Sequence, residues 1–151
     1  TYDKLQTFVP IQEYQIDYYK NRFFKYINPG FIKCVTDEND ELVAFAITMP
    51  SFSNALKKIK GKVDLIGKLR LLHAKNFNSK GSLYLIGVRP DFQNKGVIAI
   101  LFNELQKFYN KFGITEVETN PELIENTAIQ QLWKNYENNQ HKNRATFTKQ
   151  I

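Results

Sequence analysis

The feature that most narrows the fold of this chain is an apolar strand that runs into a glycine-closed loop and then into a strongly amphipathic helix. Residues 82–88 read Ser-Leu-Tyr-Leu-Ile-Gly-Val, an almost continuous apolar run that predicts a central strand covered on both faces. Val88-Arg89-Pro90-Asp91-Phe92-Gln93-Asn94-Lys95-Gly96 follows. Residues 94–112 then carry Val97, Ile98, Leu101, Leu105, Phe108 and Phe112 at helical spacing, and Gly113 supplies the stop. Residues 114–119 predict the next strand. Strand, helix and strand in that order predict a right-handed crossover between parallel strands.

The flanking segments add a hairpin and further helices. Residues 11–27 predict a helix, with Pro10 at its first turn and Asn28-Pro29-Gly30 as its stop. Residues 31–36 and 42–49 predict two antiparallel strands around the polar turn Asp37-Glu38-Asn39-Asp40, the second closed by Pro50. Residues 125–136 predict a last long helix and residues 145–151 a final strand. The expected architecture is one α/β domain over residues 1–151, its antiparallel hairpin leading into a parallel pair.

Residues 51–81 form a helical, basic insertion between strands, broken near Gly61 and Gly67. Lys57, Lys58, Lys60, Lys62, Lys68, Arg70, Lys75 and Lys80 face a single acid, Asp64. Two readings stand. One is a solvated cationic face whose apolar side, Leu56, Ile59, Leu65, Leu69 and Leu72, packs on the core. The other is a basic lid or partner surface.

Composition excludes several classes. With 42% hydrophobic and 14% aromatic residues the 151-residue chain can build a core and does not read as disordered. Its longest apolar stretches fall far short of the ~20 residues of a membrane span, so no membrane partner is expected. The net charge of +6 suits an anionic ligand but is too small to indicate nucleic acid. Cys34 is the lone cysteine; in its apolar run it reads as a small buried hydrophobe in preference to a reactive thiol, and the absence of any possible internal disulfide fits a cytoplasmic location. His73 and His141 are isolated, and no metal-site spacing appears. The chain opens on Thr1, and the expectation is a larger parent chain.

The strand-to-helix junction carries the chemistry. The first N–H groups of a helix lack internal partners, and with the helix dipole they favour a phosphate. Gly96 allows close approach of the backbone, and Lys95 adds a cation.

This run, Val88, Pro90, Phe92, Gln93 and Gly96 followed by Leu101, resembles the phosphate-binding motif of the GCN5-related N-acetyltransferase (GNAT) superfamily. The resemblance covers about residues 31–151. It is nearest to the C-terminal half of larger uncharacterised bacterial acetyltransferase-like proteins, with Phe8-Val9-Pro10 and Asn54-Ala55-Leu56-Lys57-Lys58 as further matches. It implies the acyl-coenzyme A N-acyltransferase fold, a mixed sheet with helices on both faces. It implies acetyl-CoA or another acyl-CoA as cosubstrate and a small-molecule amine as acceptor. The implied cofactor contacts are Ile86, Val88, Gln93, Asn94, Lys95, Gly96, Val97, Ile98, Asn126 and Trp133, with a strand N–H near Val88 as donor to the thioester oxygen.

The motif is not complete. Ile98 stands where the family has a last Gly or Ala, and a branched side chain there is expected to crowd the pyrophosphate or tilt the helix. The family's last helix often starts with Asn, here Asn126, and carries a general-acid Tyr seven residues on, here Trp133. An indole N–H donates a hydrogen bond but no proton at neutral pH. Tyr136, three residues further, is the remaining candidate acid. Glu137-Asn138 replaces the usual glycine–aromatic pair. Glu116 and Glu118 alternate on one face of their strand, as candidate bases or as a solvent-facing pair; of the two, Glu118 is the candidate catalytic residue. The family's early strand and helix are expected to be missing or to lie upstream of Thr1. Two functions therefore remain: amine acyl transfer, or a non-catalytic domain that binds coenzyme A or scaffolds a partner domain or a second copy.

Overall fold

The computed structural model describes residues 10–23 and 28–149. They divide into two units, one ending at Glu118 and one beginning at Thr119.

The first unit holds helix α1 (Glu13–Phe23), strands β1 (Ile32–Thr36) and β2 (Leu42–Pro50), helices α2 (Ser53–Ile59) and α3 (Leu65–Asn76), strand β3 (Lys80–Val88) and helix α4 (Val97–Phe112). Strand β4 (Glu116–Thr119) closes a sheet of order β1-β2-β3-β4, antiparallel until the parallel β3–β4 pair. The second unit contains α5 (Thr127–Trp133). The mixed sheet, the hairpin and the parallel pair are those expected.

The β1–β2 turn is closed by Asp37, whose Oδ1 accepts the N–H groups of Asn39 and Glu41, each at 3.0 Å. Asp40 takes φ 65° there, a left-handed position that Asp and Asn tolerate. Helix α4 covers one face of the sheet. Val97, Leu101 and Leu105 recur every four residues along its buried stripe. Val97 meets Val43, Ala44 and Val88. Further along, Phe31 is 1% exposed and sets its edge against Phe108 and Phe112 at 4.9 and 5.0 Å. Thr48, fully buried, donates to the Phe31 carbonyl at 2.8 Å. Burial raises the pKa of the Tyr109 phenol, opposed by its hydrogen bond with Thr48.

Several expectations are corrected. Helix α1 starts at Glu13, not at residue 11, and its expected end at Ile27 lies outside the described residues. Helix α4 starts at Val97 because Asn94 and Gly96 hold φ of 60° and 78°, which a right-handed helix cannot include. Strand β3 is not covered on both faces, since Tyr84 and Leu85 are exposed. Its neighbour β4 has only four residues and is anchored at its start, where the Thr115 and Glu116 N–H groups donate to the Ser79 carbonyl at 2.8 and 3.2 Å. Cys34 is exposed. On β1, Lys33 lies over Phe108 and Val35 packs beside Val43, so alternation turns Cys34 to the opposite, uncovered face.

Helices α2 and α3 bury Ala55, Ile59 and Gly67. Leu56, Leu65, Leu69 and Leu72 point to solvent instead of the core, and Gly67 lies inside α3 rather than breaking it. The last helix has seven residues, Thr127–Trp133, and does not extend over the expected 125–136. Residues 145–149 form no strand: one large apolar side chain, Phe147, stands among polar ones and is exposed. Residues 150 and 151 lie outside the description. No helix among the described residues is long and apolar enough to cross a membrane.

Candidate functional site

Strand β3 ends at Val88, and the chain turns through a short 3-10 helix, Pro90–Phe92, before reaching α4. Pro90 sets that turn, and Gln93 returns to extended backbone. The Gln93 side chain then reaches back, donating from Nε2 to the Val88 carbonyl at 3.3 Å. The loop is thus clamped to the end of its own strand.

Beyond Gln93, Asn94 and Gly96 take φ of 60° and 78°, with Lys95 between them. Left-handed residues alternating with an ordinary one curl the backbone so that successive N–H groups point inward, an anion-binding concavity. The first bonds of α4 run from the Ala99 and Ile100 N–H groups to the Gly96 carbonyl, at 3.0 and 3.3 Å. The N–H groups just before them have no intrahelical acceptor. A Cβ on Gly96 would meet nothing within 4 Å, so φ is what demands glycine there. The sequence spacing places Asn94 at the start of the helix; the only sign of its left-handed turn there is an Asn beside a glycine motif.

Ile98 does not crowd this concavity. It packs against the cluster of Val43, Ala44, Val88 and Val97, turned toward the sheet. The crowding inferred from sequence assumed the side chain faced the loop.

Val88 and Ile86 are placed by strand alternation. The Arg89 N–H donates to the Val43 carbonyl at 2.8 Å, toward β2. Neighbouring residues of a strand point their N–H and C=O to opposite sides, so those of Val88, and of Ile86 two residues back, face away from β2.

Arg89 is the residue that sequence reasoning missed. Its guanidinium binds Asp91 at 2.9 Å, Glu41 at 3.0 Å and Asp37 at 3.3 Å, and lies 4.6 Å from the Phe92 ring centre. It ties the β1–β2 turn to the loop and offsets three carboxylates beside an anion-binding concavity. Lys95 Nζ sits 5.3 Å from the same ring centre. The signal available was Arg89-Pro90-Asp91 against an acidic turn some fifty residues earlier, a pairing that only the hairpin register creates.

Asp37 is held below its ordinary value of 3.8, first by the Glu41 N–H, and Asp91 first by its hydrogen bond to Arg89. A lowered carboxylate contributes stability in full above its unfolded value and loses it as pH falls through the folded one. Arg89→Ala is expected to weaken coenzyme binding about five- to tenfold with the fold intact. Calorimetry should find that ratio largest at neutral pH and shrinking in acid, as Asp37 and Asp91, no longer held down by Arg89 in the variant, take up protons.

A family model described as "Acetyltransferase (GNAT) family" matches residues 2–136. The chain belongs to this family. The match begins well before residue 31 and stops short of residues 145–149, which form no strand. No curated protein sequence matches the chain. Solved GNAT-fold structures do. An aminoglycoside acetyltransferase from an uncultured soil metagenomic sample, solved with trehalose, covers 97% of this chain and 79% of its own at 10% identity and TM-score 0.52. Its complex with sisomicin gives the same coverage and TM-score at 12% identity. The aminoglycoside 6'-N-acetyltransferase AAC(6')-Ih of Acinetobacter baumannii covers 95% and 97% at 14% identity, also at TM-score 0.52. These likenesses establish the fold.

Membership of the GNAT family implies an acyl-CoA cosubstrate. The donor set fits one: inward N–H groups from Asn94 to Val97, the dipole of a sixteen-residue helix and Lys95 all favour a pyrophosphate. Glu118 is half-buried on β4, whereas Glu116 is exposed and paired with Lys80 at 2.5 Å.

In the second unit, Asn126 precedes α5 without capping it through its side chain. Trp133 donates its indole N–H to both Glu122 oxygens, at 2.9 and 3.1 Å. Tyr136 lies beyond the helix, one turn on, its ring centre 6.3 Å from that of Trp133. Among the described residues no group of three His, Cys, Asp or Glu is placed to hold a metal ion.

Proposed function

We propose that the chain transfers an acetyl group from acetyl-CoA, or an acyl group from a related thioester, to a small-molecule amine. The observation that carries this reading is the concavity between Asn94 and Val97 at the start of α4. The thioester supplies an activated carbonyl, which the amine attacks directly with coenzyme A thiol as the leaving group. The chain's part is positioning and charge stabilisation. Backbone N–H groups of residues 94–98 bind pyrophosphate, with Gln93 fixing the loop and Lys95 adding charge. The Val88 N–H donates to the thioester oxygen, and Ile86 holds the cosubstrate along the same edge. Glu118 is the proposed base; Tyr136 as acid and Asn126 and Trp133 as cosubstrate contacts are proposed on the family resemblance alone.

A second reading, a non-catalytic domain that binds coenzyme A, draws on Trp133, whose N–H is engaged by Glu122 where the family often has its acid. Thiol release from acetyl-CoA with a panel of amines separates the two. Amine-dependent release supports transfer. Coenzyme A binding without release for any amine supports the second reading, and a large rate gain in Trp133→Tyr would then identify the missing acid.

A further inference from the structure

The α2–α3 hairpin presents an unusual surface. Leu56, Leu65, Ile66, Leu69, Leu72 and Phe77 are each between 54% and 74% exposed. Five of them fall on one side of α3 and the turn after it. The opposite side of α3 seats Gly67, Leu71 and Ala74, with Asn78 continuing the row and donating to the Ser51 and Ala74 carbonyls. Scattered exposed leucines need no explanation, but six neighbours on one short helical hairpin do.

The same segment holds the charge of the molecule. Residues 51–81 contain eight Lys and Arg and one acid, a net +7, while the whole chain carries +6. The remainder is therefore close to neutral. Lys80 is engaged by Glu116. Lys57, Lys58, Lys60, Lys62 and Lys68 are exposed and border the apolar stripe, as does Arg70, which donates to the Lys58 carbonyl at 3.2 Å.

We infer that this face docks on an anionic lipid bilayer surface. Long lysine stems can lie along apolar ground while their ammonium groups reach phosphate. An apolar helical stripe of Leu, Ile and Phe bordered by lysines is the pattern of interfacial helices, and anionic leaflets attract such clusters. An acidic protein partner fits less well: protein interfaces favour Tyr, Trp and Arg and are depleted in Lys, whereas this face is bordered by five Lys and one Arg, and residues 51–81 hold no Tyr or Trp. The expectation of no membrane partner rested on the lack of a spanning stretch, which a surface contact does not require.

The test is co-sedimentation of the full chain with vesicles of phosphatidylcholine alone or with phosphatidylglycerol added. Binding is expected only to the phosphatidylglycerol vesicles and is expected to fall steeply with salt. Lys68→Glu with Lys62→Glu should weaken it at least tenfold, since each lysine near such a surface is worth about fivefold. Leu69→Glu should weaken it similarly; the side chain is 59% exposed, so circular dichroism should show an unchanged fold. No binding to phosphatidylglycerol vesicles at low salt, or unchanged binding of Leu69→Glu, overturns the inference. Binding of polyglutamate without binding of vesicles overturns it too, in favour of an acidic protein partner.

Discussion

Gly96→Val is expected to lower coenzyme A affinity at least a hundredfold while the chain stays folded. The argument has two parts. At φ 78° a β-branched residue is a backbone outlier costing about 1–3 kcal/mol. That strain can be relieved only by turning residues 94–96 out of the left-handed arrangement that aims their N–H groups inward. A branched side chain kept in place would instead stand over the concavity where the pyrophosphate is proposed to sit. The fold tolerates either outcome, because a Cβ at this position meets nothing within 4 Å. Gly96→Ala shares the strain without the branch and should fall between. Calorimetric titration measures the affinities, and binding of Gly96→Val as tight as the parent's would reduce the loop to a turn.

Phe31→Ala is expected to have the largest effect on stability, about 3–5 kcal/mol. The ring is 1% exposed and packs edge-to-face with both Phe108 and Phe112, which stack on each other. Removing it empties the junction of β1, β2 and α4, which nearby groups cannot refill. A Cβ on the adjacent Gly30 would already lie 2.5 Å from Phe108, so the ring cluster has no slack on that side. A domain of this size has only about 5–15 kcal/mol to lose. Urea denaturation should show a lower midpoint with an unchanged slope. Midpoints equal within error would mean that the aromatic cluster is not the centre of the core.

The sheet and its main helix were legible because period and punctuation agree there. Val97, Leu101 and Leu105 mark one helical face, and Gly113 closes it. The Gln93–Gly96 motif located the loop, but not its form. Asn94 looks like a helical residue until its φ is known, and Arg89 gains meaning only when the hairpin brings Asp37 and Glu41 to it. Ile98 was misjudged because a side chain one residue into a helix can face loop or sheet, and burial against Val43 and Val88 decided for the sheet. Leucine spacing in α3 predicted an amphipathic helix correctly and its orientation wrongly. Gly67, Leu71 and Ala74 form the smaller stripe, yet they are the ones turned inward; Gly67 is needed there because a Cβ would lie 2.9 Å from the Lys62 carbonyl oxygen, with Ile59 of α2 beside it. Periodicity reports that a helix has two faces; it does not report which one the sheet receives. Residues 145–149 failed as a strand for a plainer reason: one apolar side chain gives a strand nothing to bury.

The central claim is that the loop entering α4 binds an acyl-CoA, and titration calorimetry of the unmodified chain with coenzyme A and with acetyl-CoA tests it most directly. The account predicts one site per chain for both ligands, with affinities between about 1 µM and 1 mM, the usual range for enzyme substrates. No heat of binding with either ligand, on a chain whose circular dichroism shows the mixed α/β fold intact, would contradict it.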